Sequence, residues 1–279
     1  MYTTNNFNDL YQEMVKVVLN NGERYSPRGQ EVLEVIGRSF KLTNPKNCLC
    51  TLKARKLNYR FATIEKLEYL TGESDPKRLC FYNNNMRHFQ NDSGEYDGAY
   101  GARVKPQLDW CYFQLKKDSD TRQAVITIRN SSDCHETKDH PCTLSLQFFL
   151  RDKKLHLVAT MRSNDLLWGT PYDINGFCFL QEVLASWLNV ETGDYIHQVG
   201  SLHIYTERLE KYKAIKDNDE TINITQPKWT LGYQATKTAL ETFWRAEKEY
   251  REENFLRTKV DPYYHNQLKD YYNIVTKQV

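Results

Sequence analysis

The chain has 279 residues, 40% hydrophobic and 27% charged, so it carries enough apolar side chains for a sizeable core and is unlike disordered or fibrous sequences. A formal net charge of +2 gives no bulk attraction to duplex nucleic acid or an anionic membrane, and leaves small anions, gripped by a few placed arginines, as charged partners. No run approaches the ~18 apolar residues of a transmembrane helix, and the start Met1-Tyr-Thr-Thr-Asn-Asn lacks a signal-peptide pattern, so the expected compartment is the cytoplasm.

Phe7 to Leu19 has apolar residues at helical spacing and is predicted to be a helix ending before Asn20-Asn21-Gly22. A turn-rich loop with Arg24 and Arg28 follows, then a strand over Val32 to Leu42. Arg60 to Leu70 reads as a helix that stops at Thr71-Gly72. Residues 72–99 are polar and rich in Asn, Asp and Gly, and read as a long functional loop with little regular structure. Ala124 to Ile128 alternates like a strand, and Leu144 to Leu150 with Leu155 to Met161 form a hairpin pattern around Arg151-Asp-Lys-Lys. Ile174 to Leu188 is almost wholly apolar and reads as a buried helix. Gly200 to Tyr205 is a further strand, Ala235 to Leu256 a long amphipathic helix, and the remainder a tail. With no repeat or linker, the expectation is one α/β (α+β) domain over residues 1–279.

Seven cysteines without a secretory signal point to reduced thiols, and 19 Tyr, 12 Phe and 5 Trp suit a pocket for flat rings. Cys142 lies where the chain enters a strand, a position open to a nucleophile and to an inert buried thiol. Cys134, His135, His140 and Cys142 invite a zinc reading, but their spacing matches no usual structural zinc pattern and no metal is expected. Arg162-Ser163 can clamp a phosphate, or Arg162 can pair with Asp165 at the surface. His203 and Tyr205 share one face of a strand, fit either to hold a sugar hydroxyl or to pack in the core.

Taken together and in order, Pro141-Cys142, Gln147-Phe148, Arg162-Ser163-Asn164-Asp165, Gly169-Thr-Pro171 and His203-Ile-Tyr205 resemble thymidylate synthase and its pyrimidine-hydroxymethylase relatives, phage deoxycytidylate hydroxymethylases above all. Glu65 and Tyr100-Gly101 fit the same pattern upstream, whereas residues from about 210 to 279 match poorly. The resemblance implies a mixed sheet flanked by helices, with sheets packed across a homodimer. It implies that Cys142 adds to C6 of a pyrimidine nucleoside monophosphate, with 5,10-methylenetetrahydrofolate as cosubstrate. Glu65 and Tyr100 would move protons, and Arg28, Arg162, Ser163 and Arg122 of the partner subunit would hold the phosphate. His203 and Tyr205 would meet the sugar, and Asp165 the pterin.

Asp173 departs from the synthase pattern, which has asparagine there. Cytosine presents an N3 acceptor and a 4-amino donor, and a protonated carboxyl group complements both while opposing O4 of uracil. Asp173 can equally be a helix N-cap before Ile174. Thr143 stands where synthases have histidine, and Gln123 where they have a second intersubunit arginine. Met86, His88 and Phe89 replace tryptophans, and Ile274 to Val279 does not match the closing tail. Loss of those shields lets water attack the C5 methylene group. The expected activity is therefore conversion of dCMP to 5-hydroxymethyl-dCMP, in the cytoplasm, or the host's if phage-encoded. CMP hydroxymethylase, dCMP methylase, divergent thymidylate synthase and an inactive nucleotide- or RNA-binding member are the alternatives.

Overall fold

In a computed structural model, residues 1–253 and 262–276 are described. Their sheet runs in the order β1 (Tyr2–Thr4), β3 (Val32–Leu42), β7 (Glu191–Tyr205), β6 (Lys154–Asp165), β5 (Thr143–Arg151), β4 (Val125–Thr127), with β2 (Glu23–Tyr25) also on β3. The β1–β3 and β6–β7 pairs are parallel and the others antiparallel. This is the mixed sheet the sequence led us to expect. β5 and β6 form the hairpin, turning through Asp152 and Lys153 at positive φ.

Helix α1 (Phe7–Asn21), capped by the Asn6 side chain, and helix α5 (Thr170–Leu188) pack on one face of the sheet. α5 is apolar nearly all round because helices α2 (Tyr59–Glu68) and α4 (Tyr100–Lys117) cover its other side. On the opposite sheet face Phe149, Val158 and Ile196 are only half-buried and Gln198 is exposed.

Several elements differ from expectation. Within 72–99, Asp75 caps the amides of Lys77 and Arg78, and Pro76 opens helix α3 (Pro76–Tyr82), followed by a 3-10 turn over Asn84–Phe89. α4 was not predicted, because Pro106 interrupts its pattern. Its apolar stripe of Val104, Leu108, Cys111 and Leu115 is nonetheless buried. β7 extends well before Gly200, and α6 (Leu209–Asp217) follows it. Helix α7 (Tyr233–Glu253) matches the predicted amphipathic helix, whose last residues 254–256 lie outside the described ones. The tail reading fails for Pro262–Thr276, which forms helix α8 and buries Leu268, Tyr271 and Val275 against the α2 side. Residues 277–279 of the mismatched terminus lie outside the described ones. Among the described residues no helix is long and apolar enough to cross a membrane.

Candidate active site

Strand directions bring the candidate residues together. β6 and β7 are parallel, so their carboxyl ends, Arg162 to Asp165 and His203 to Tyr205, lie at one end of the sheet. β5 is antiparallel to β6, so Cys142, just before it, begins at that same end. Val32 pairs with Tyr205, which puts the preceding Arg28 loop there too. Arg28 itself is exposed and left-handed, with φ 53°. Arg122 is the exception. Its carbonyl accepts from Gln147 Nε2 at 3.0 Å, and β4 runs so that Arg122 lies toward Leu150, away from Cys142 within the protomer.

The Cys142 thiol is half-buried beside the exposed Arg162. Arg162 Nη2 lies 3.6 Å from Sγ, and its guanidinium also donates to the carbonyls of Pro141 and His140, each at 3.0 Å. The Arg162–Asp165 surface pair is therefore not formed: the arginine reaches across to the segment that leads into β5. Burial pushes the thiol up to about 11, with Arg162 opposing and the carboxylates of Asp173, Asp165 and Asp139 adding to the rise. A register shift between Thr143 and Ser145 marks a bulge directly after the cysteine.

Glu65 on α2 is half-buried, and burial, then Asp173, then Glu68 raise its carboxyl well above the usual range. Among the described residues no hydrogen bond or ion pair engages it, so it is free to meet a ligand or water. Asp173 is in the first turn of α5, whose N-cap is Gly169; the N-cap reading of Asp173 is wrong because the helix starts at Thr170, a turn earlier than its apolar pattern. Burial raises the Asp173 carboxyl to about 7, opposed by a 2.7 Å hydrogen bond from Asn164 Nδ2 and reinforced by Asp165. Asp173 in turn raises Glu65, Tyr100 and Cys142, so the four expected catalytic groups share one electrostatic neighbourhood.

Tyr100 opens α4 and stacks on Tyr69, ring centroids 5.8 Å apart. Two glycines permit this. A Cβ on Gly101 would stand 2.2 Å from the Glu73 carbonyl oxygen, and one on Gly176 2.7 Å from the Tyr69 ring. The Asp165 carboxylate accepts from the amides of Leu167, Trp168 and Gly169 at 2.7–3.0 Å and so shapes the β6–α5 turn. Trp168 beside it is 49% exposed, leaving a flat ring open at the site. His203 and Tyr205 rings meet edge to face at 5.5 Å. Ser163 is half-buried, its backbone paired with Ser201.

Sequence reasoning gave no role to Asn164 or His197, which hydrogen-bond behind Asp173 at 2.9 Å. His197 fell outside the predicted strand, and only a longer reading of β7, alternating through Tyr195, His197 and Val199, would have put it in the core. As for zinc, His135 Nδ1 meets the Ser132 carbonyl at 2.9 Å, and among the described residues no group of three or more potential ligands converges.

Comparisons with known proteins bear on the family and the fold. Over 224 residues the chain is 36% identical to the "Deoxyuridylate hydroxymethyltransferase" of Bacillus phage SP01, a match covering 74% of this chain and 58% of that protein's length. Its fold is similar to that of the thermostable thymidylate synthase A from Bacillus subtilis, with a TM-score of 0.67 at 22% identity, covering 82% of this chain and 91% of that one. The thymidylate synthase family profile matches residues 9–263, so the chain belongs to the thymidylate synthase family.

Proposed function

We propose that this protein is a folate-dependent C5-hydroxymethylase of pyrimidine nucleoside monophosphates, with dCMP as its substrate. The observation that carries the reading is the half-buried Asp173 carboxyl, raised to about 7, hydrogen-bonded by Asn164 and sharing a field with Glu65 and Cys142. Near neutral pH such a group is protonated often enough to complement cytosine N3 and the 4-amino group. Cys142 adds to C6, Glu65 moves protons at the ring, and Tyr100 helps remove the C5 proton. Arg28, Arg162 and Ser163 grip the phosphate, and His203 and Tyr205 the sugar. Asp165 and the exposed Trp168 offer a carboxylate and a flat face that fit a pterin. When bound, 5,10-methylenetetrahydrofolate supplies the one-carbon unit. The balanced reaction is dCMP, methylenetetrahydrofolate and water giving 5-hydroxymethyl-dCMP and tetrahydrofolate. Phe89, 45% exposed where synthases have a shielding tryptophan, favours water over hydride as the final donor.

The working unit in this reading is a cytoplasmic homodimer of one-domain chains. An open depression beside Arg162, lined by Gly37, Arg38, Ser39, Leu144 and Gln198, leaves room for Arg122 of the partner subunit to reach the phosphate. A second reading, dUMP as substrate, is favoured by the similarity to the phage deoxyuridylate hydroxymethyltransferase. Incubation with methylenetetrahydrofolate and dCMP, dUMP or CMP, followed by mass spectrometry, decides between them. A gain of CH2O on dCMP alone is expected. Turnover of dUMP alone refutes the role given to Asp173, and a gain of CH2 refutes hydroxymethylation.

A further inference from the structure

Behind Asp173 lies a chain of buried polar groups that the reaction does not itself use. Asn164 Nδ2 donates to Asp173 Oδ2 at 2.7 Å, Asn164 Oδ1 lies 2.9 Å from His197 Nε2, and His197 Nδ1 lies 2.8 Å from the Tyr195 hydroxyl. Asn164 is 2% exposed, and His197 and Tyr195 are fully buried. We propose that Asn164 and His197 are positioning residues that dictate which oxygen of Asp173 carries its proton, and thereby which base the site accepts. The inference rests on Asp173 as the base-reading group.

Burial lowers His197 to about 3, so the imidazole is neutral and holds one proton. The amide oxygen of Asn164 can only accept, which puts that proton on Nε2 and leaves Nδ1 to accept from Tyr195. The amide is thereby oriented with its NH2 toward Asp173. Oδ2 becomes an acceptor, and the acid proton resides on Oδ1, the oxygen left for the base. Cytosine is then matched twice: Oδ1–H donates to N3, and the remaining lone pair of Oδ2 receives the 4-amino hydrogen. Uracil sets its own N3–H against Oδ1–H, two donors face to face.

The reversed amide predicts the opposite outcome. Thr170 Oγ1 stands 2.7 Å from Asn164 Oδ1 and 2.8 Å from the Asp165 carbonyl, one hydroxyl proton between two acceptors. Turning the amide over would serve both, but would set its oxygen against Asp173 Oδ2. That is tolerable only while Asp173 keeps a proton on Oδ2, and Oδ1 would then accept N3–H of uracil. Only the first orientation serves Asp173 in both protonation states. Asp173 is also faced by Glu65 from α2, Tyr69 just past that helix, Tyr100 from α4, Cys142 before β5, Asp165 from β6 and Tyr195 from β7. Among the described residues the Asn164 amide hydrogen-bonds Asp173, Thr170 and His197 and none of these other side chains, so it adds an independent influence on Asp173.

Two measurements on nucleotide-free protein test this. In a long-range 1H–15N spectrum of 15N-histidine protein, assigned against His197→Gln, the His197 proton is expected on Nε2. A proton on Nδ1 overturns the proposal. In [4-13C]aspartate protein, Asn164→Leu removes a donor to the charged form and is expected to raise the Asp173 midpoint by about one pH unit. A fall in the midpoint signifies the reversed amide and overturns it. If Asn164→Leu does not fold, the wild-type tautomer decides alone. Neither readout needs substrate, so a wrong choice of nucleotide is separable from a wrong hydrogen-bond network.

Discussion

The backbone amide of Thr143 donates to the Tyr100 hydroxyl oxygen at 3.2 Å, while the two side-chain hydroxyls stand 2.9 Å apart. An amide can only donate, so Tyr100 accepts there, and its hydroxyl shares a second hydrogen bond with Thr143 Oγ1 through which a proton can pass in either direction. Thr143→Val keeps the amide bond and removes this proton station. Its kcat is expected to fall about tenfold with little change in nucleotide KM, and Tyr100→Phe to fall about 100-fold or more. Release of tritium from C5-labelled dCMP is the measurement.

Arg162 is the principal group holding the Cys142 thiol down against burial. Arg162→Gln should therefore raise it, and iodoacetamide should label Cys142 up to about tenfold more slowly at pH 8. Peptide mapping separates this thiol from the exposed Cys134. Cys142→Ser is expected to abolish both product and the covalent adduct with 5-fluoro-dCMP seen by intact mass.

In the proposed reading cytosine recognition needs the acid form of Asp173, so kcat/KM for dCMP is expected to fall as pH rises past about 7. Asp173→Asn replaces the titrating group by a fixed amide that complements uracil. It should reverse the dCMP-to-dUMP preference by about 100-fold or more and lose that alkaline limb. A variant that still prefers dCMP would remove Asp173 from base recognition.

The same carboxyl makes a prediction about stability. Its folded-state value is about 7 against 3.8 for an ordinary aspartate, so between these values the folded protein keeps a proton that the unfolded chain has released. Stability from this group is present below about pH 4 and declines as pH rises to about 7. Asp173→Asn should lack the decline, gaining on wild type by on the order of 2–4 kcal/mol between pH 4 and 8. Thermal unfolding across that range checks it, with Glu65 present in both proteins.

Asp165 has a structural task apart from any pterin contact, since its carboxylate takes three turn amides. Asp165→Ala is expected to cost roughly 1–3 kcal/mol in denaturant unfolding. A loss of folate binding without loss of stability would contradict this.

Much of the site was legible because its residues cluster in short segments whose strand directions follow from the hairpin pattern. Cys142, Arg162, Asp165, His203 and Tyr205 arrive at one sheet end for that reason. Glu65, on a helix read correctly, also falls in place. The Asn164–His197 contact was not legible, since it joins two strands through a side chain buried on a stretch of β7 that lacked a strong alternating signal. α4 was hidden by Pro106, and α8 by a polar, aromatic-rich sequence whose buried face only packing defines.

The backbone register pairs Ser163 with Ser201 and Asp165 with His203, so the residues proposed to grip the far end of the nucleotide stand on two adjoining strands. Asp173 stands apart from that register, on the first turn of a helix. In the proposed reading, one exchange on the helix would re-address the enzyme to another base without touching the strand residues that hold the rest of the nucleotide.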